Sequence, residues 1–310
     1  MYPLTSIVYV NYNTSSLLLN SIESILERCA PVSKEFIVVD NASKQAERDI
    51  LEKWKAEHED VELHLIFSDE NLGFAGGNNL GASKASGEYI FFLNPDTLVM
   101  NDVLSIFIDF MEKMGDGVSA IGGNLLETDL KPNYSYGNFP GIALELCNVG
   151  LGLSPMLGNY YKNKLAIGCK VRGKEILEVP YVIGAALFMR LASFKLAHGF
   201  DDQYFMYYEE TDLFRRFQQM GLKAYILPEA EIIHFEGAAI GKSDATNFNY
   251  QKFEIALKSK FYYYKKWKGS SLGLIKGIVL LQICVQYLKG KWGNNLKRLL
   301  LIYNQCLSQA

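Results

Sequence analysis

The chain has 310 residues, 49% of them hydrophobic and 21% charged. These values exclude a disordered or collagen-like chain and leave room for one large α/β domain or two modest ones. The formal charge of −3 hides an asymmetry: residues 255–310 carry ten Lys and Arg and no Asp or Glu, which leaves 21 basic against 34 acidic groups in residues 1–254, a net of −13. An acidic body joined to a basic tail points to a tail that meets an anionic surface.

In chain order, short β-branched runs come first: Ser6–Val10, Glu35–Asp40, Glu62–Phe67 and Glu88–Asn94. Helical patterns lie between them, at Ser15–Arg28, Lys44–Glu59 and Ala75–Ser86. Strands alternating with crossover helices predict an α/β fold with a mostly parallel central sheet flanked by helices. The mixed charges of Lys44–Glu59, three and four residues apart, read as a solvated helix face. Residues 125–175 are rich in Gly, Asn and Tyr with weak periodicity and read as long loops with short helices that shape a variable site. Order returns at Val179–Arg190, a helix follows at Glu210–Met220, and two strands are predicted at Lys223–Leu227 and Glu231–Phe235. Beyond residue 245 the pattern is helical to the end. The expected division is 1–244, an α/β domain, and 245–310, a basic helical C-terminal extension.

The five Cys are odd in number, widely spaced and free of any CxxC. Buried thiols in a reducing compartment are therefore expected, not a disulfide framework or zinc site. The start of the chain lacks a basic region followed by an apolar stretch and cleavage site, so no signal peptide is expected.

In doubly wound sheets, ligands bind beyond the carboxyl ends of the strands. Four consecutive strands here deliver amides, carboxylates and glycines to one edge: Asn11 and Asn13, Asp40-Asn41-Ala42-Ser43, the stretch Asn71–Asn79 with Gly76 and Asn78, and Asn94-Pro95-Asp96-Thr97. The glycine-rich Asn71–Asn79 stretch opens onto a helix whose N–H groups could hold phosphate. It fits neither the dinucleotide nor the P-loop spacing. Asp96 after a strand is either a turn or N-cap residue or a ligand for a divalent ion. Glu209, Glu210 and Asp212 crowd a predicted helix start beside Phe205, Met206, Tyr207 and Tyr208. Acids in a first turn serve the helix dipole, but crowding and burial also raise a carboxyl pKa and suit a general base. His234 is a structural histidine or a metal ligand.

The stretches VNYN (10–13), VVDNAS (38–43), NLGFAGGNNLG (71–81), FLNPDT (92–97), GAALFMR (184–190), FDDQYFMYYEETDLFRR (200–216) and IIHFEGAA (232–239), in this order, resemble family 2 glycosyltransferases of the GT-A fold, closest to a bacterial rhamnosyltransferase branch. The resemblance implies inverting transfer of a sugar, rhamnose in that branch, from a nucleotide-diphosphate donor to a glycan or lipid-linked acceptor of the cell surface. It makes Asp40 the residue that reads the nucleobase. Asp96 becomes the last acid of a D-x-D metal site for Mg²⁺ or Mn²⁺, His234 a completing ligand, and Glu209-Glu210 the pair that supplies the base, with Glu210 favoured. Asn11, Asn13, Asn71, Gly76, Asn78 and Asn94 fall with them as donor-binding positions. This chain departs twice from the family pattern: Asn94 stands for the first Asp of D-x-D, and Glu210 for the usual Asp. A carbohydrate- or nucleotide-binding protein on the same scaffold is the alternative. A pyrophosphorylase would need a basic glycine-rich loop after the first strand, where Asn11-Tyr12-Asn13-Thr14 stands.

The run 272–288 is apolar but only 17 residues long and contains Lys276, against the roughly 20 that a spanning helix needs. Aromatics and lysines without acids in 255–310 fit contact with a membrane surface, which would place the protein in the cytoplasm at the inner face of the cell membrane. A helical cap or homodimer interface is the competing reading. Nothing resembles a nucleic-acid recognition module.

Overall fold

Valine, isoleucine and phenylalanine fill the first strands because both sheet faces are covered. Every residue of β1 (Thr5–Asn11) except Val10 is buried. It is followed by α1 (Ser15–Arg28), β2 (Lys34–Asn41), α2 (Gln45–Glu57), β3 (Leu63–Ser68), α3 (Gly73–Ala82) and β4 (Tyr89–Leu93). Then come β5 (Thr97–Val99), α4 (Val103–Met114), β6 (Val118–Leu126), β7 (Tyr134–Gly137), α5 (Ile142–Asn148), α6 (Leu153–Tyr160), β8 (Cys169–Lys170), β9 (Leu177–Val179), β10 (Tyr181–Val182), β11 (Ala186–Arg190) and α7 (Leu191–Leu196). The chain ends with α8 (Glu209–Gln219), β12 (Lys223–His234), α9 (Tyr250–Lys268), α10 (Leu272–Leu288) and α11 (Leu296–Gln309). This computed structural model describes residues 3–166, 168–235, 248–292 and 295–309. Residues 236–239 of the IIHFEGAA stretch lie outside them.

Two compact units are present. The first comprises Met1–Gly137, Gly168–Asp202 and Glu210–Gly241; the second comprises Asn138–Ile167, Gln203–Glu209 and Lys242–Ala310. The last segment of the second unit starts near the expected boundary at 244/245, but that unit also includes two earlier stretches.

In the first unit the main sheet runs β3-β2-β1-β4-β11-β6-β12-β5, with β9 beside β12. It is parallel from β3 through β4. Then β11 enters antiparallel between β4 and β6, and β12 lies parallel to β6. The carboxyl ends of β4, β6 and β12 and the start of β11 therefore share the edge where β1, β2 and β3 end. Leu18, Ile22 and Ile25 of α1, spaced by a helical period, pack with Phe107 and Met111 of α4 and with Ile7, Tyr9, Phe91 and Phe188 of the sheet. Each such fully buried side chain contributes about 1.5–3 kcal/mol of transfer free energy. A small second sheet orders β10-β7-β8.

Four expectations change. The two strands predicted at 223–227 and 231–235 are one strand, β12, whose register against β6 breaks between Leu227 and Glu231, where Pro228 lacks an N–H. The helix predicted over Ala75–Ser86 runs Gly73–Ala82, so most of the Asn71–Asn79 stretch, with Gly76 and Gly77, is helix and not loop. A Cβ on Gly77 would sit 2.8 Å from Val10 Cγ1, and one on Gly81 2.4 Å from Val8 Cγ1. These glycines let α3 lie close on β1. Asp96, read as a possible N-cap residue, is followed by a strand and not a helix, since Thr97 begins β5. Residues 125–175 hold the expected short helices, α5 and α6, but also two short strands, β7 and β8.

The second unit has its own core. Leu257, Phe261, Tyr263 and Tyr264 of α9 pack with Ile275, Val279 and Ile283 of α10 and Leu299, Ile302 and Tyr303 of α11. Buried Glu145 of α5 pairs with Lys260 Nζ at 2.8 Å and accepts a hydrogen bond from the Tyr264 hydroxyl. Among the described residues one helical run, Tyr250–Leu288, is long and apolar enough by length and composition to cross a membrane. A 3-10 turn at Gly269–Ser271 interrupts it. All five cysteines are free, four of them buried.

Candidate active site

The candidate site is assembled at the carboxyl edge of the parallel strands. Asn11 ends β1, and Asp40 lies next to the last residue of β2, directly opposite it in register. Asn11 Nδ2 donates to Asp40 Oδ2 at 3.0 Å and to Ser43 Oγ at 3.3 Å, and its Oδ1 accepts from the Thr14 hydroxyl. Asn13, in the left-handed region at φ 55°, donates its N–H to Ser43 Oγ and accepts from the Lys44 N–H. The Asp40 carboxylate, 1% exposed, also accepts from the Ser43 N–H and from Arg48 Nε at 2.8 Å. Arg48 in turn donates to the Ser68 carbonyl at the end of β3 and lies over the Phe67 ring. The helix expected to be a solvated face thus sends one cation to the site. Its signal in the sequence was a lone arginine eight residues after Asp40.

The amides after β3 hold backbone. Asn71 Oδ1 accepts from the Asn41 side chain and from the Gly73 N–H, while Asn41 Oδ1 accepts from the Leu72 N–H. These bonds satisfy first-turn N–H groups of α3, an N-cap service. Asn78 is buried and donates to the Phe74 carbonyl within the helix, and a Cβ on Gly76 would meet Leu72 Cβ at 2.9 Å. Both positions have a packing reason.

Asp96 and His234 are 138 positions apart in sequence and adjacent in space. β5 and β12 pair antiparallel with Thr97 opposite His234, and the Phe235 N–H donates to the Asp96 carbonyl. His234 Nε2 lies 3.4 Å from Asp96 Oδ1, both side chains being largely buried. Donors bound to one ion at about 2.1 Å and a right angle stand roughly 3 Å apart, so the pair fits a shared divalent ion. Asn94 sits on the same turn; its N–H donates to Ala185 and its carbonyl accepts from the Thr97 hydroxyl.

Among the described residues the one cluster of three such ligand types is elsewhere, Glu35, Glu62 and His64 at the opposite strand ends. Burial alone would raise the Glu35 carboxyl, but hydrogen bonds from Ser6 and Ser86 and the His64 ring hold it below the usual range. It serves as a structural anchor.

Glu210, at the first turn of α8, lies beside Gly184, which precedes β11 and so stands at the same sheet edge. Burial pushes its carboxyl above the usual carboxylate range, although backbone N–H groups of Glu210, Thr211 and Gly184 pull it down. Its Oε2 is buried without a hydrogen-bond partner. Glu209, the preceding residue, is also buried. Burial and the Glu209 charge push the Tyr207 hydroxyl up to about 12. Tyr207 and Tyr208 both adopt left-handed backbone, φ 71° and 72°, a cost of roughly 1–2 kcal/mol each. The Tyr208 ring packs 5.2 Å from that of Tyr263, and Lys252 Nζ lies 5.9 Å from the Tyr207 ring centre. Such contacts hold a strained turn directly ahead of the two acids.

Residues 6–136 match the family model for glycosyl transferase family 2. A glycosyltransferase of Bacillus subtilis (strain 168) provisionally assigned to teichuronic acid biosynthesis, TuaG, is 31% identical over 42% of this chain and 50% of its own length. Rhamnosyltransferase WbbL of Escherichia coli (strain K12) is 27% identical over 62% of this chain and 69% of its own. The chain thus spans about half the length of some of the curated relatives it matches. A mannosyltransferase from Pyrobaculum calidifontis, PcManGT, solved with GDP-Man and Mn²⁺, superposes with a TM-score of 0.59 at 15% identity, over all of this chain and 81% of its own. Residues 6–136 thus carry a family 2 glycosyltransferase domain, and the sheet topology is that of the GT-A fold.

Proposed function

We propose that this protein transfers a sugar from a nucleotide-diphosphate donor to a glycan or lipid-linked acceptor with inversion at the anomeric carbon, Glu210 acting as the base. The observation that carries this reading is the Glu210 carboxylate, buried at the sheet edge with one oxygen unpartnered and its pKa raised. A raised pKa makes this carboxylate a stronger base toward an acceptor hydroxyl. Asn11 and Arg48 orient Asp40 for the nucleobase; Asn13, Asn71, Gly76, Asn78 and Asn94 border the donor. Asp96 and His234 would hold the divalent ion, and the mixed oxygen and nitrogen donor set suits Mn²⁺ as well as Mg²⁺. When bound, that ion supplies charge that neutralises the leaving diphosphate. The GDP-Man complex of PcManGT supports a nucleotide-sugar donor, and the name of WbbL favours rhamnose. The basic helical segment supports work at the inner face of the cell membrane, where lipid-linked acceptors are found.

The test is a panel of dTDP-rhamnose, UDP-glucose and UDP-galactose, scored by nucleoside diphosphate release with and without a lipid-linked acceptor and a divalent ion. Release with dTDP-rhamnose that requires the acceptor is expected. Donor binding without release for every sugar would instead support the non-catalytic reading.

A further inference from the structure

A helix on the surface of a water-soluble unit normally presents polar residues outward. α10 does not. Ile275, Val279 and Ile283 face the core of the second unit, and on the outward side Leu274, Leu281 and Leu288 recur every seven residues at 56%, 47% and 82% exposure. Gly277 and Cys284 lie between them on the same stripe, and no charged side chain interrupts it.

A second segment adds to this face. Gln282 and Gln286 of α10 donate to the carbonyls of Asn148 and Val149, and Lys289 Nζ donates to that of Gly150. These bonds seat the α5–α6 connection along the C-terminal half of α10. Just beyond it Leu151, Leu153, Met156 and Leu157 are exposed, Met156 by 82%. A second exposed apolar stripe therefore follows directly on the segment seated against α10.

Their rim is cationic and aromatic. Lys265, Lys266 and Trp267 precede α10, and Lys289, Lys291 and Trp292 follow it. The wider segment 255–310 has ten cations and no acid. A two-fold interface would set like charges against each other, whereas an anionic bilayer complements them. At 17 residues α10 is about 25 Å long, short of the roughly 30 Å hydrocarbon core, and its other face is committed to the unit's own packing.

We propose that the outward stripes of α10 and α6 form one apolar face that inserts shallowly into an anionic bilayer, with Lys289 and Lys291 at the headgroups. This deepens the membrane part of the proposed function without resting on the transfer chemistry. The experiment is co-sedimentation of the full chain with phosphatidylcholine vesicles with and without phosphatidylglycerol. Binding that needs phosphatidylglycerol is expected. The triple variant Leu274→Gln, Leu281→Gln, Leu288→Gln should bind at least ~100-fold more weakly, since each buried leucine is worth roughly tenfold. Lys289→Glu with Lys291→Glu should weaken binding by roughly fivefold or more per cation on phosphatidylglycerol. Donor hydrolysis by the triple variant should stay at the parent's level, which separates this result from failure of the transferase reading. Vesicle binding equal to the parent's in the triple variant overturns the proposal. So does a parent dimer, seen by sedimentation velocity, that the triple variant dissociates, because a second copy would then be the occupant.

Discussion

Replacing Glu210 by Gln tests the assignment of the base in two independent ways. The amide keeps the volume and one acceptor oxygen for the N–H groups of Thr211 and Gly184, so the fold is retained. It cannot take a proton. Loss of a general base costs 10²–10⁴-fold, about 2.7–5.4 kcal/mol of transition-state stabilisation. Acceptor-dependent nucleoside diphosphate release should fall by that factor, with little change in donor KM. The second readout is thermal. The folded-state pKa of Glu210 is raised by burial, so the stability that this group contributes is present below the ordinary carboxylate range and is lost as pH rises through the raised folded value. Above the ordinary carboxylate range the parent must either hold a buried charge or take up a proton on folding, a cost that the variant lacks. Glu210→Gln should therefore melt higher than the parent at pH 7, and the gap should close as pH falls below about 4. For the same reason, the acid limb of the parent's kcat/KM profile should lie above the usual carboxylate range. A variant with more than a tenth of the parent's turnover refutes the base assignment. A variant that melts lower at pH 7 refutes the account of burial.

Two further perturbations probe the rest of the site. EDTA should abolish transfer, and Mg²⁺ or Mn²⁺ should restore it. In metal titrations His234→Ala should raise the concentration needed by at least ~10-fold, a scale common for altered metal-site residues, while full turnover in EDTA would remove Asp96 and His234 from a metal role. Gly77→Ala places a Cβ 2.8 Å from Val10 Cγ1. Such overpacking costs about 1–3 kcal/mol and should lower Tm by roughly 2–12 °C; an unchanged Tm would mean that α3 does not press on β1 as described.

The first half of the main sheet was legible because its signals are local. Val38-Val39 and Ile90-Phe91-Phe92 are apolar without alternation, and α1 spaces Leu18, Ile22 and Ile25 by a helical period. The later strands were less legible for physical reasons. β6 contains Gly122 and Gly123, poor strand residues; a Cβ on Gly123 would stand 2.4 Å from the Ala230 carbonyl oxygen, against the irregular part of β12. Pro228 interrupts β12 in sequence, although the strand continues past it in space. Within α3 the glycines suggested a loop, because the need for close helix–sheet contact has no signature within one segment. The site divides in the same way. Asp96, Glu210 and His234 could each be singled out, but only the β5–β12 pairing brings Asp96 to His234. Arg48 was hidden in a helix whose other charges are ordinary.

The second unit is drawn from three stretches of the chain, and this bears on how the protein is made. α5, with buried Leu144, Cys147 and Glu145, leaves the ribosome well before the helices that cover it. About 140 residues separate residue 167 from the end of α11, which at 5–20 residues per second is roughly 7–30 s of translation. Through that interval the first unit can complete most of its sheet, while α5 waits with its apolar side chains bare. A nascent chain stalled before residue 250 should therefore be a chaperone client, and C-terminal truncation should yield an aggregating protein instead of a smaller enzyme.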